Sequence, residues 1–162
     1  MAVLKLHLDE FDEVDYDLIA IHSSLEDYRI SYFINQTLPV HLKKSKEEIS
    51  ILVQEGEAFF PKFTYDDQIH DIQWSLVPNQ TDIVTAAQER RNGLLGTADW
   101  EVFRKVHLIS ELKRVDYFLK IENNHNYFSV SKMVADLKSI NRISTVYAVD
   151  PENIKSKNNL IF

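Results

Sequence analysis

Two short apolar runs, each opened by the same tripeptide, constrain this chain more than any other feature. Val14-Asp15-Tyr16 leads into Leu18, Ile19 and Ile21, and Val115-Asp116-Tyr117 leads into Leu119 and Ile121. After each run come a serine, a stretch with helical spacing and a β-rich return, "VHL" in the first and "STVYAV" in the second. Apolar runs of this length bounded by polar residues are strand-sized, so each repeat reads as a strand–helix–strand unit of about 30 residues. The units span 14–42 and 115–150. A continuous apolar run carries no period of its own, and a helix over 11–21 is the competing reading of the first.

The helices are the better marked elements. Leu25, Tyr28 and Tyr32, with Ile30, Phe33, Ile34 and Leu38, follow a helical period that Pro39 ends. Ser23 and Glu26 have capping-box spacing at its start. Ser129 is placed to cap a second helix, with Val130, Met133, Val134, Leu137 and Ile140 on one face. Strands are expected at 3–8, 40–44, 49–53, 102–109, 115–122 and 143–150. A hairpin is expected over 59–79, where Phe63 and Tyr65 alternate on one arm and Ile72, Trp74 and Leu76 on the other, around the turn "DDQIHD". The stretch 79–100 holds two of the three glycines and reads as one long loop, with a helical turn or two in "IVTAAQERR". Loops of that length are functional or disordered. The expected fold is α+β: a mixed or antiparallel sheet with two main helices on one face. It would form a single domain over 1–162, compatible with two ferredoxin-like or ACT-like halves.

Charge and composition narrow the function. The net charge is −7, with six carboxylates between Asp9 and Asp17. Such a field repels phosphates, so neither nucleic acid nor an anionic membrane surface is an expected partner. The cations gather only in pairs, Arg90-Arg91, Arg104-Lys105 and Lys113-Arg114. With no cysteine there is no disulfide and no thiolate metal site. No leader peptide and no apolar stretch of membrane-spanning length is legible, and the expected location is the cytoplasm.

Reactive chemistry is hard to find. Gly56, Gly93 and Gly96 fit neither phosphate-loop pattern. Ser23 and Ser24 lack a nucleophile-elbow context and read as caps. The six histidines show no paired ligand spacing. Asp66, Asp67, His70 and Asp71 share one turn, which reads as a polar hairpin tip rather than a metal site. No catalytic residue, cofactor or metal is expected.

The stretch 107–119, "HLISELKRVDYFL", carries a resemblance. Ile109, Glu111, Val115, Asp116 and Tyr117 match the signature of the IPExxxVDY proteins, a small bacterial family named for that motif. Ser110 stands where the family has proline. The family has no established activity, so the resemblance implies kinship and a shared scaffold but no chemistry. Physically, Ser110 can open a helical turn as a cap where proline would open it as a first residue. Glu111 then sits in the first turn, and Asp116 is placed to bond backbone N–H groups or to pair with Arg114 or Arg142.

The expected function is therefore non-catalytic: an adaptor or regulatory module that binds another protein through 79–100 or through a face near Glu111. An ACT-like domain that binds a small molecule is the alternative. The sequence leaves the oligomeric state open.

Overall fold

The computed structural model describes residues 15–86 and 101–162. The expected strand at 3–8 and most of the expected loop lie outside them. Ten strands and two helices follow in the order β1 (Tyr16–Ser23), α1 (Asp27–Thr37), β2 (Lys43–Lys44), β3 (Ile49–Val53), β4 (Gly56–Phe60), β5 (Phe63–Asp67), β6 (Ile72–Pro78), β7 (Gln80–Ala86), β8 (Glu101–His107), β9 (Tyr117–Glu122), α2 (Val130–Lys138) and β10 (Ile143–Val149). Six form one sheet in the order β10-β1-β9-β6-β5-β2; β3–β4 and β7–β8 are separate hairpins. Every adjacent pair is antiparallel. The fold is α+β, with two helices and an antiparallel sheet.

Connectivity explains the two units and corrects their extent. Helix α1 links β1 to β6, with β9 lying between them; α2 links β9 to β10, with β1 lying between them. These are two interleaved split βαβ units, the ferredoxin-like arrangement. The first unit thus returns to the centre of the sheet through Ile72–Pro78, while Val40 and Leu42 are buried in the helix-side core without forming a strand. Of the expected strand 40–44 only Lys43–Lys44 is formed, at the sheet's far edge. The β2–β4 segment and the β7–β8 hairpin are insertions into this frame.

Helix boundaries follow local chemistry. Leu38, before Pro39, leaves helical geometry at φ −105° and ψ 156°, as a residue preceding proline tends to. Ser129 caps α2 by accepting the Lys132 N–H at 3.3 Å. The capping box expected at Ser23 and Glu26 does not form: Glu26 is itself the N-cap and makes no side-chain cap bond. Ser23 instead accepts the Leu25 N–H and donates to the Arg142 carbonyl.

The sheet is buried on both faces. On one side Ile19, Ile21, Trp74, Leu76, Leu119 and Ile121 pack against Ile30, Ile34 and Leu38 of α1 and Met133 and Leu137 of α2. On the other, Leu18, Ala20, Val77 and Phe118 pack against Ile49, Ala58 and Phe60, against Ile83 and Val106, and against Ile154 and Leu160 of the C-terminal tail. A helix layer, the sheet and a layer of two hairpins are thus stacked. Double coverage is why the Leu18–Ile21 and Tyr117–Ile121 runs are continuously buried rather than alternating.

Two further expectations are corrected. Gln80–Ala86, the start of the expected loop 79–100 and of its helical turn, is β7, paired in register with β8 from Gln80↔His107 to Ala86↔Glu101. And the two VDY segments are not structural equivalents. Tyr16 and Tyr117 each open a strand, but Tyr117 belongs to the helix-side core and Tyr16 packs on the hairpin-side core. Side-chain direction alternates along a strand, so matching the two by sequence sets their side chains on opposite faces.

Candidate functional site

The five motif residues sit in and after a loop that wraps one buried amide. Asn79 is fully buried. Its Oδ1 accepts the Ile109 N–H at 2.8 Å, and its Nδ2 donates to the carbonyls of Leu112 at 2.8 Å and Val115 at 3.0 Å. Its backbone N–H donates to the Asp116 carbonyl, and its own carbonyl accepts the Leu108 N–H. One side chain and its peptide therefore fix the whole 108–116 segment, leaving no polar group of Asn79 unsatisfied. Within that segment Ser110–Leu112 is a short 3-10 turn. The expected cap at Ser110 is absent: the turn's N-cap is Ile109, and the Ser110 hydroxyl meets only Glu111, at 3.5 Å.

Each motif side chain then ties this loop to a different part of the fold. Ile109 and Val115 are buried in the hairpin-side core. Glu111 reaches the tail, where its Oε1 accepts the Ser156 N–H and its Oε2 the Ser156 hydroxyl, both at 2.8 Å. Desolvation pushes the Glu111 carboxyl up, but its own N–H and the Ser156 donors outweigh this and hold it below the ordinary value. Asp116 Oδ2 accepts the Ser23 N–H at 2.9 Å, so the aspartate bonds backbone and pairs with neither arginine expected for it. Tyr117 donates its hydroxyl to the Leu25 carbonyl at 2.5 Å. Burial, with the charges of Asp27, Asp116 and Glu26 behind it, pushes this phenol up to about 12. Asp116 and Tyr117 thus anchor the β1–α1 connection, while Glu111 anchors the tail. The motif residues do not converge on a common cleft.

A second cluster surrounds Lys120, in the strand expected at 115–122. Its side chain is buried, with Nζ 2.6 Å from the Leu160 carbonyl and 3.0 Å from Glu122 Oε1. The ring centroids of Phe162 and Tyr16 lie 4.5 and 4.9 Å from the ammonium. Desolvation, then the Glu122 charge, raises the Tyr16 phenol. A concavity of about 370 Å³ beside it is lined by Asp15, Tyr16, Gln73, Glu122 and the last two residues of the tail. The bond from Nζ to the Leu160 carbonyl ties the C-terminal tail to β9.

The third feature is the outer surface of the hairpin layer. Leu52, Phe59, Val84 and Phe103 are exposed there, at 83%, 49%, 57% and 65%. Val84 and Phe103 are direct cross-strand partners. Phe59 and Val84 flank a cleft of about 410 Å³ whose other walls include Glu55, Glu57 and Asp82. An ion pair between Arg104 and Glu55 joins the two hairpins beside it.

At the hairpin tip, Asp67 and His70 come together but Asp66 and Asp71 do not join them: His70 Nδ1 lies 2.6 Å from Asp67 Oδ2, and its ring packs 4.0 Å from that of Tyr127. Among the described residues no group of three or more histidines and carboxylates is arranged to hold a metal, and no helix is long and apolar enough to cross a membrane. Comparison with known protein families, characterised proteins and solved structures finds no match.

Proposed function

We propose that this chain is a non-catalytic adaptor or regulatory module that binds another protein through the outer face of its hairpin layer. The observation that carries this reading is the exposure of Leu52 and Phe59 on one hairpin and of the cross-strand pair Val84 and Phe103 on the other, with Phe59 and Val84 lining one cleft. Apolar side chains grouped on one surface are a feature of contact surfaces. The motif loop supports the same reading from the other side, since its carboxylates and phenol are committed to backbone groups of the fold. Kinship with the IPExxxVDY proteins is part of the proposal, supported by the five matching residues. So are a cytoplasmic location and the absence of a nucleic-acid partner, the latter supported by the net charge of −7.

The ACT-like alternative has the split βαβ connectivity in its favour. Against it stands the β1–α1 turn, where such a ligand would need free backbone donors. The Ser23 N–H is taken by Asp116, and the Leu25 N–H by the Ser23 hydroxyl.

Cross-linking in host cells, comparing the native chain with a Val84→Asp/Phe103→Asp variant, tests the proposal. A specific adduct formed by the native chain and lost in the variant supports it. An adduct that survives the double substitution, or none at all, contradicts it. A thermal-shift screen of amino acids and nucleotides separates the alternative, because a specific small ligand raises the melting temperature by mass action.

A further inference from the structure

The two edges of the six-stranded sheet are built differently. At one edge β2 is two residues long, and both are lysines. Short length and edge lysines are devices that keep a strand from recruiting another. At the opposite edge β10 runs for seven residues, "ISTVYAV", with neither charge nor proline. It pairs with β1 on one side, and no described strand pairs with the other. Ser144, Thr145, Tyr147 and Ala148 are exposed along it. Alternate backbone N–H and C=O groups of an edge strand point away from its neighbour, and among the described residues no strand bonds those of β10.

The charges flanking β10 are opposite in sign. Arg142 precedes the strand and is exposed; Asp150 and Glu152 follow it and are exposed too. A second β10 laid antiparallel brings the arginine of each copy to the acidic end of the other, at both ends of the pair. A parallel arrangement sets like against like. With Tyr147 on the two-fold axis, Thr145 falls opposite Val149 and Val146 opposite Ala148, and the members of each pair share a face. The register irregularity at His22 and Ser23, where β10 carries an extra residue at Ser144, confines the new ladder to Thr145–Val149.

The geometry points to β10 as a homodimer edge: a second copy of this chain adds antiparallel about Tyr147 and joins two six-stranded sheets into one. This contact is separate from the hairpin face, which stays open in the dimer, so either proposal can fail without the other.

Sedimentation equilibrium of the full chain over a dilution series tests it. The expected result is twice the monomer mass at high concentration and monomer on dilution. Ala148→Lys puts a charge on the edge and is expected to leave monomer throughout. Arg142→Glu and Glu152→Arg are each expected to raise the dimer dissociation constant about tenfold, and their combination to restore it to within about threefold. A monomer at every concentration overturns the proposal, and so does a dimer that Ala148→Lys leaves intact. Should Ala148→Lys not fold, hydrogen exchange on the native chain decides. Amides within Thr145–Val149 that slow with concentration support the dimer edge, and rates independent of concentration overturn it.

Discussion

The Asp116 carboxylate accepts the backbone N–H of Ser23 at 2.9 Å, across 93 residues of sequence. That bond fastens the entry of β9 to the exit of β1, at the point where the register between β1 and β10 slips. Asp116→Ala leaves the Ser23 N–H without this acceptor and is expected to destabilise the fold by about 1–2 kcal/mol in urea denaturation. Asp116→Asn keeps an acceptor oxygen and is expected to cost less than the alanine variant. Equal losses for the two would show that the hydrogen bond is not what Asp116 contributes.

Asn79 is the costlier residue to lose. Asn79→Ala strands the Ile109 N–H and the buried Val115 carbonyl, and leaves the Leu112 carbonyl with only the Val115 N–H, for an expected loss of about 3 kcal/mol. Asn79→Asp keeps the acceptor for Ile109 but turns an oxygen toward the carbonyls of Leu112 or Val115, and is expected to be no better. Ser110→Ala, which removes an exposed hydroxyl with no cap bond, is expected to stay within about 0.5 kcal/mol. Urea midpoints at constant slope check all three.

Tyr117 gives an alkaline signature. Its folded pKa of about 12 exceeds the ordinary 10.0, so the folded chain holds this proton after the unfolded chain has released it. Its contribution to stability is therefore complete below pH 10 and lost as pH rises toward 12. Tyr117→Phe is expected to flatten that loss while giving up about 1 kcal/mol at neutral pH with the bond to Leu25. Denaturation midpoints measured across this range read both effects.

Asp67 gives the opposite sign. The His70 side chain, ahead of the other influences, holds its carboxyl below the ordinary 3.8. The stabilisation is present above that value and lost as pH falls through the lower, folded one. Asp67→Asn is expected to be less stable at neutral pH and to lose less on acidification. A native chain and variant with parallel acid-denaturation curves would remove Asp67 from the explanation.

The sequence made some of this fold legible and hid the rest for physical reasons. Ser129 and the one-faced row from Val130 to Ile140 announce α2 because cap and period agree. The β5–β6 hairpin shows through because Trp74 and Leu76 alternate with polar residues. β7 does not: it is too polar to read as a strand, and over Gln80–Thr85 only Ile83 is buried in the core. Asn79 is a single amide in a loop, and nothing in periodicity or composition distinguishes a residue whose role is to satisfy distant backbone groups. Lys120 is silent for a similar reason, since the carbonyl that its ammonium bonds, that of Leu160, lies 40 residues on in the tail. The repeated VDY pointed to two strand starts, yet a tripeptide cannot report which face of a sheet its tyrosine will enter. The motif's structural role was visible in outline, through Asp116 as a backbone acceptor. Its partners Ser23, Leu25 and Ser156 were not, being set by tertiary contacts.

Native-state hydrogen exchange at Ile109 tests most directly whether the motif loop is a fixed joint of the scaffold. Its amide is buried and bonded to Asn79 Oδ1, so exchange is expected only through global unfolding, with an opening free energy equal to that from urea denaturation. Exchange at Ile109 as fast as at exposed Ser110 would mean that the loop opens locally, and would contradict its role as a joint.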